Sequence, residues 1–325
     1  MSITITGGIS FSGGVGIVSA PPSQATAGWW AGGSPTTSTV QRITFATDTE
    51  TATSRGPLNG PFYGQGATGT FTYGWYAGGA PGVSKVNRIT YASDTASASV
   101  RGPLDRVVYN LAATTTDTYG WFGGGYNVSN SPVSSVSRIT YATDTSTATD
   151  VGPLSAVQGA PAATGTDTYG WFAGGFAPGP ARVISIVSRI TYVSDTNTAS
   201  VRGPLSQAAR GQAASTDSTT YGWFGGGYIY IGPPFGQATS GVERITYATD
   251  TVTASVRGPL TVARQLLSAA GNSTNGWFGG GYVNGGGGNR STVDRITYAT
   301  DTATASVRGT LIQAINTTSS TSGVQ

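Results

Sequence analysis

An aromatic motif flanked by glycines occurs six times in this chain, and its spacing constrains the fold more than any other feature. The copy at 221–228 is YGWFGGGY, and the others begin near residues 27, 73, 119, 169 and 275. An Arg-Ile-Thr segment follows each copy, and Gly-Pro-Leu or Gly-Thr-Leu comes next. That arginine and that leucine are sixteen positions apart in all six copies. A period of about fifty residues indicates one repeated supersecondary unit.

The segments of each repeat have the patterns of strands. In RITYATDT, Ile245 and Tyr247 alternate with Arg244 and Thr246, which is typical of a half-buried strand. TASVRGPL alternates in the same way, and Asp250 between the two can form an Asx-turn. Two shorter strands precede this pair. The sequence therefore predicts an all-β fold, a six-bladed β-propeller of four-stranded antiparallel blades.

Residues that keep the sixfold symmetry are expected to be structural. Trp223 and Phe224 are predicted to fill the space between blades, while Gly225 to Gly227 allow positive φ or close backbone approach. Catalytic sites usually break the symmetry of their scaffold, so we expect ion pairing and turn formation from the repeated charges. These are Arg42, Arg88, Arg138, Arg189, Arg244 and Arg295, with Asp48, Asp94, Asp144, Asp195, Asp250 and Asp301.

The end of the chain suggests how the ring closes. LIQAINTTSSTSG resembles LSQAARGQAASTDS at 205–218, so a closing strand at 312–320 is predicted to complete the first blade. The propeller then spans 23–325. Its blades are centred on 27–58, 59–104, 105–154, 155–205, 206–260 and 261–311. Residues 1–22 form a β-rich N-terminal arm, which either packs on its own propeller or adds a strand to a neighbouring protein or another copy.

The order of these motifs resembles the kelch family over residues 24–320. Shared features are a diglycine after a hydrophobic strand, a strand with an internal Tyr, an Asp-containing turn and a Pro-Leu element. The pattern departs from kelch repeats because the Trp precedes the diglycine instead of lying in the fourth strand. The Thr-, Gly- and Ala-rich repeats with RITYATDT also resemble propeller-like proteins of marine tailed bacteriophages, especially those of cyanobacteria. That second resemblance implies a virion-associated structural or host-binding protein.

Composition excludes several classes of chemistry. The chain has no Cys and no His, so thiolate and imidazole metal sites are excluded, and we expect no metal and no cofactor. A net charge of +3, spread over the repeats, argues against nucleic-acid binding. The first twenty residues make a poor signal peptide, and no apolar run approaches the ~20 residues of a membrane helix. A soluble protein without membrane insertion is expected.

The acidic residues outside the repeated turns do not define a catalytic pair. A glycosidase could use two Asp or Glu side chains, but the sequence gives no way to place two at a suitable distance. We therefore expect a non-enzymatic binding or structural module on a virion, with no catalytic residues. A polysaccharide-acting enzyme and a cellular interaction scaffold are the alternatives.

One loop varies in length while the other spacings are nearly fixed. Between the last glycine and the next repeated Arg there are 8, 8, 12, 13, 16 and 13 residues. Loops on a rigid scaffold often carry binding, although these could also vary without function. The predicted contacts are to host-surface glycan or a virion protein, with the N-terminal arm as a second protein contact and homo-oligomerisation left open. The predicted binding residues are Tyr126, Asn127, Phe176, Tyr228, Tyr230, Phe235, Tyr282 and Asn284.

Overall fold

The chain forms six four-stranded antiparallel sheets arranged as the blades of a propeller. A computed structural model describes residues 25–179, 182–216, 219–232 and 235–323. The predicted N-terminal arm, residues 1–22, lies outside the described residues. In blades 2 to 6 the strands follow one another from the central axis outward, and in blade 1 the last strand of the chain is the innermost. The predicted fold class is confirmed.

The strands of the blades have nearly constant lengths. The inner strands of blades 1 to 6 are Ser319–Gly323, Gly66–Gly69, Ala112–Thr115, Ala162–Gly165, Ala213–Thr216 and Ser268–Gly271. The second strands are Ala27–Ala31, Tyr73–Ala77, Tyr119–Gly123, Tyr169–Ala173, Tyr221–Gly225 and Asn275–Gly279. The third strands are Val40–Thr44, Val86–Thr90, Val136–Thr140, Val187–Thr191, Val242–Thr246 and Thr292–Thr297. The outer strands are Thr53–Arg55, Ser99–Arg101, Thr149–Val151, Ser200–Arg202, Ser255–Arg257 and Ser306–Thr310.

Helical structure in the described part of the chain is limited to short 3₁₀ turns after the third strands. They are Phe45–Thr47, Tyr91–Ser93, Tyr141–Thr143, Tyr192–Ser194, Tyr247–Thr249 and Tyr298–Thr300. None of the helices in the described ranges has the length and apolar character needed to cross a bilayer. Two loops add small hairpins, Tyr228–Gly232 with Phe235–Ala238 and Tyr282–Val283 with Gly288–Asn289.

The ring is closed by the C-terminal strand, as the sequence predicts. Ser319–Gly323 pairs antiparallel with Ala27–Ala31, and Ala27 lies opposite Gly323. The strand begins later than the predicted 312–320, because residues 312–318 form the connection that leads to it; Asn316 bridges to Ser34 there. The first blade therefore contains strands from both ends of the propeller sequence, and it reaches the same four strands as the other blades.

Aromatic side chains form the core between neighbouring blades. Trp223 is fully buried and stacks on Tyr298 of blade 6, with ring centroids 3.8 Å apart. Phe224 is fully buried on the opposite side, in a cluster with Trp171 of blade 4. Each fully buried side chain of this size contributes about 1.5–3 kcal/mol. The predicted position of this aromatic pair between blades is confirmed.

Each turn aspartate pairs with the preceding blade. Asp250 Oδ2 accepts hydrogen bonds from Trp171 Nε1 at 2.8 Å and from an Arg189 guanidinium nitrogen at 3.0 Å. Arg202 Nε lies 3.5 Å from the same oxygen. The expectation of structural pairing is confirmed. The Asx-turn expectation is wrong, because the hydrogen bonds that this carboxylate accepts come from the neighbouring blade.

This Trp-Arg-Asp contact, which we call the interblade latch, recurs at every junction. The other five aspartates are Asp94, Asp144, Asp195, Asp301 and Asp48, and Asp48 joins blade 6 to blade 1. Val151 replaces the second arginine in blade 3, so Asp195 is paired with Arg138 alone. Gly203 of the Gly-Pro-Leu motif lies so close to the turn that a Cβ would collide with the main chain of Val252. Glycine is required at this position because the two main-chain segments approach each other closely.

The two faces of the disc carry different connections. On one face lie the second-to-third loops, which vary in length, and the outer-to-inner connections between blades; we call this the loop face. The inner-to-second turns and the 3₁₀ turns lie on the opposite side, the turn face. This division follows from the antiparallel order of the strands. Gly226 and Gly227, with φ of 68° and 109°, start the loop of blade 5 in a conformation that favours glycine.

Candidate functional site

The first residue of each long loop is fixed against the neighbouring connection. Tyr126 and Tyr109 exchange two main-chain hydrogen bonds, with N···O distances of 2.8 and 3.0 Å. Isolated bridges of the same kind join Phe176 to Gly159 and Tyr228 to Arg210. The loop face therefore holds these first residues on the scaffold, while the remainder of each loop extends outward.

Five side chains make a continuous row on this face across blades 3, 4 and 5. We call Tyr109, Tyr126, Phe176, Arg210 and Tyr228 the aromatic–arginine row. The ring centroids of Tyr109 and Tyr126 are 5.6 Å apart, and those of Tyr126 and Phe176 are 6.2 Å apart. Arg210 Cζ lies 5.7 Å from the Phe176 centroid and 5.1 Å from that of Tyr228. These are distances at which aromatic and cation–π interactions operate.

The row is partly open to solvent. Tyr126 is buried at 8 % exposure, whereas the other four members are half-buried. Gly159 makes room for Tyr126, because a Cβ at this position would collide with the phenol ring. Partly exposed rings above a fixed base provide apolar area to a ligand without first having to become ordered.

Arg210 is the cation of the aromatic–arginine row, and the tyrosines beside it are neutral. Burial raises the pKa of Tyr126, and the charge and hydrogen bonding of Arg210 partly oppose that shift. Burial and the neighbouring Tyr126 raise the pKa of Tyr109. Both phenols are therefore neutral donors at neutral pH, and Tyr109 donates to Asn130 Oδ1 at 2.5 Å. Arg210 carries the positive charge of the row.

The structure brings some of the predicted residues together and separates others. Tyr126, Phe176 and Tyr228 meet in the row. Tyr282 lies in blade 6, bridged to Gln265, and Asn284 Oδ1 accepts a hydrogen bond from Gln265 Nε2 at 3.1 Å.

The other three predicted residues have different positions. Asn127 Oδ1 accepts hydrogen bonds from the amides of Ser129 and Ser131, both at 3.0 Å, so this side chain shapes its own loop. Tyr230 lies opposite Gly236 in the blade 5 hairpin, and Phe235 pairs there with Gly232.

Sequence reasoning missed Tyr109 and Arg210. Both belong to the outer-to-inner connections, whose lengths scarcely change, whereas variation in length points only to the second-to-third loops. A signal exists in the composition of those connections. The position next to the loop base is Tyr63, Tyr109, Gly159, Arg210, Gln265 and Asn316 in the six copies. Its identity varies while its spacing is nearly constant.

The centre of the ring offers different chemistry. A cavity of about 140 Å³ lies between the inner strands and is lined by small residues such as Ala113, Ala163 and Ala214. Its lining residues include no titratable side chain. Within the part of the chain that the structure describes, no group of three or more Asp or Glu side chains is placed to hold a metal ion.

The fold and this site together define a six-bladed propeller of kelch-like architecture with an aromatic loop face. The solved structure titled "Structure of YjhT" matches it with a TM-score of 0.70 and 12 % sequence identity. The match covers 89 % of this chain and 98 % of that chain, so the likeness concerns the entire ring. No protein-family model matches the sequence, and no curated protein matches it.

Proposed function

We propose that this protein is a non-enzymatic binding module that contacts a glycan of a host-cell surface through its loop face. The aromatic–arginine row is the observation that carries the proposal. The partly exposed rings can contact the apolar face of a sugar ring, and the Arg210 guanidinium can bind its hydroxyl or acidic substituents. Three blades contribute to the row, so the contact surface is broad.

The surroundings of the row support binding by a preformed surface. Tyr228 and Arg210 are opposite each other in an antiparallel bridge, so their side chains lie on the same face. Gln265 and Asn284 extend the surface toward blade 6 with amide groups. Amides give direction to hydrogen bonds, while aromatic rings give contact area.

A virion is the proposed setting of this function. The support is the resemblance of the repeats to propeller-like proteins of marine tailed bacteriophages. In that setting a neighbouring virion protein is the alternative partner, and residues 1–22 are the segment proposed to engage it.

The proposal is tested by shortening one loop and removing one charge. Replacing residues 228–241 with residues 80–85 of blade 2 deletes Tyr228 and keeps the strands on both sides, because blade 2 closes with the short loop. A second variant is Arg210→Ala. The wild-type protein should bind at least one member of a printed array of bacterial surface glycans, and both variants should bind it at least about tenfold more weakly.

The control is Val201→Ser on the outer strand of blade 4. Val201 is exposed, and blade 1 carries Ser54 at the equivalent register. This variant should bind the array as the wild-type protein does. Unchanged glycan binding by a folded loop-swap variant, or no glycan binding by the wild-type protein, would contradict the proposal.

A further inference from the structure

A groove on the turn face, between blades 2 and 3, differs from the other junctions. Its volume is about 430 Å³, within the range of roughly 300–1,000 Å³ that small-molecule sites occupy. One wall carries Phe71 and Tyr73, and the other carries Asp117. It lies on the side of the disc opposite the loop face.

The tip of the blade 2 turn departs from the repeat. The segment Thr-Phe-Thr at 70–72 takes the place of Thr-Asp-Thr at 116–118 and 166–168, so Phe71 stands where blades 3 and 4 carry Asp117 and Asp167. Phe71 is 44 % exposed, which is unusual for a large aromatic side chain. An exposed ring at a turn tip that is otherwise polar offers a flat apolar surface to a ligand in the groove.

An aromatic pair forms the floor of the groove. Trp75 stacks on Tyr141 at 3.9 Å between centroids, and Thr68 and Thr115 fix the Tyr141 hydroxyl at 2.6 and 2.7 Å. Tyr141 is only partly buried.

The charges around the groove favour a neutral ligand. Arg88 Cζ lies 4.4 Å from the Tyr73 centroid, so this ring already has a cation against it. Arg88 is itself paired with Asp144 at 3.0 Å. A second cation would meet the positive charge of Arg88, whereas the exposed Asp117 carboxylate would repel an anion.

The polar groups of the groove can form hydrogen bonds with the hydroxyl groups of a ligand. Thr70 Oγ accepts hydrogen bonds from the amides of Thr72 and Tyr73, both at 3.2 Å, which leaves its own proton to be donated. The Asp117 carboxylate can accept from two neighbouring hydroxyls. An aromatic ring facing acceptors and donors across a groove matches a sugar ring, which has an apolar face and a polar rim.

We propose that this groove binds the neutral pyranose ring of a saccharide, with Phe71 as the stacking surface and Asp117 as the hydroxyl acceptor. The site is independent of the loop face and of the function proposed for it. It gives the propeller sugar contacts on both sides of the disc.

The test uses the full chain and defined probes. Methyl β-glucopyranoside, methyl β-galactopyranoside and methyl α-mannopyranoside are titrated separately, with saturation-transfer NMR and calorimetry as readouts. At least one should bind with a Kd of about 1 mM. Phe71→Asp, which copies blades 3 and 4, should weaken that binding by about tenfold or more, and Asp117→Asn by several fold.

Two controls separate this site from the remainder of the protein. Asp167→Asn changes the equivalent aspartate at the next junction, and Val201→Ser changes an exposed residue on the outer strand of blade 4; neither should alter the Phe71-dependent glycoside affinity. If Phe71→Asp fails to fold, Asp117→Asn carries the test. The proposal is overturned if no glycoside binds, if Phe71→Asp and Asp117→Asn both leave glycoside affinity unchanged, if Asp167→Asn or Val201→Ser removes binding, or if tetramethylammonium binds in a Phe71-dependent way in place of the sugars.

Discussion

A single carboxylate oxygen at each blade junction organises an indole and one or two guanidinium groups. Asp250 Oδ2 accepts hydrogen bonds from Trp171 and Arg189, both within 3.0 Å. The aspartate is buried, and the arginine is partly exposed. Breaking such a pair leaves a buried donor without a partner, which costs more than the pair itself contributes. The latch therefore makes the spacing between blades sensitive to one residue.

The latch predicts a graded series of substitutions in blade 5. Asp250→Ala should lower the free energy of unfolding by about 2–4 kcal/mol, because the Trp171 indole and the Arg189 guanidinium lose their shared acceptor. Asp250→Asn should cost less, since an amide oxygen still accepts from the indole but carries no charge. Urea denaturation followed by tryptophan fluorescence measures the series.

The matched control comes from the chain itself. Arg202→Val reproduces the natural blade 3 arrangement, in which Val151 stands at the position of the second arginine. The second arginine is 3.5 Å from the carboxylate and partly exposed, so this variant should cost no more than about 1 kcal/mol. Equal losses for Arg202→Val and Asp250→Ala would show that the latch does not act as described.

At the scale of elements, the connections between blades are held by the second residue of the third strand. Glu243 accepts hydrogen bonds from the amides of Ser206 and Gln207, at 2.5 and 3.1 Å. In blade 1, Gln41 Oε1 accepts from the Ile312 amide at 2.5 Å. An uncharged amide therefore makes the same type of contact that the carboxylate makes.

Glu243→Gln should change the pH dependence of stability. Burial raises the pKa of Glu243, while the Ser206 and Gln207 amides oppose the shift. Because the pKa of Glu243 is higher in the folded protein than in the unfolded chain, protonation of this carboxyl stabilises the fold. That contribution is complete below the unfolded pKa of about 4.3 and is lost as pH rises through the folded pKa. The Gln variant should match or exceed the wild-type stability at pH 7 by up to about 1 kcal/mol, and lose that advantage near pH 4.

Urea denaturation at the two pH values measures this difference. Glu50→Gln, at an exposed acid of blade 1, is the matched control and should show no such trend. A stability difference between Glu243→Gln and wild type that is the same at pH 4 and pH 7 would contradict the assignment.

The elements were largely predictable from the sequence, whereas their contacts were not. Alternation in the Arg-Ile-Thr segment and the fixed spacing to Gly-Pro-Leu predicted the strands, because period two is a local property. The partner of Asp250 lies in the preceding blade, and only ring geometry places Trp171 beside it. For the same reason Arg210, in a connection of nearly fixed length, could not be joined to Phe176 and Tyr228 by sequence pattern.

At the scale of the whole molecule, the ring of blades is closed within blade 1. In blade 1 the inner and second strands come from opposite ends of the propeller, with Ala27 opposite Gly323. In blade 6 the same two strands are joined by a short turn, and Ser268 pairs with Gly279 as Ser319 pairs with Ala31. By this register, joining Gly323 directly to Ala25 gives a turn of the same length as the turn of blade 6.

A circular permutant tests whether the closing strand or the order of the sequence holds the ring. We expect a chain with Gly323 fused to Ala25, and opened between Ser273 and Thr274, to fold with a melting temperature close to that of residues 25–323 alone. Blade 6 would then be closed by strands from the two new termini. A second permutant, opened between Ala156 and Val157, leaves every blade with contiguous strands, so no strand shared between the termini joins blades 3 and 4. Side-chain contacts and a few main-chain hydrogen bonds, such as Gly152 N to Asp195 O, hold that junction. The latch at that junction has a single arginine on Asp195. This second permutant should melt lower by about 5 °C or more, since a loss of 1 kcal/mol lowers the melting temperature by roughly 2–4 °C in domains of about 150–250 residues and the expected loss is several kcal/mol. Differential scanning calorimetry of the two permutants and the linear parent makes the comparison. Equal melting temperatures for both permutants would show that strand exchange between the termini is not what stabilises the closed ring.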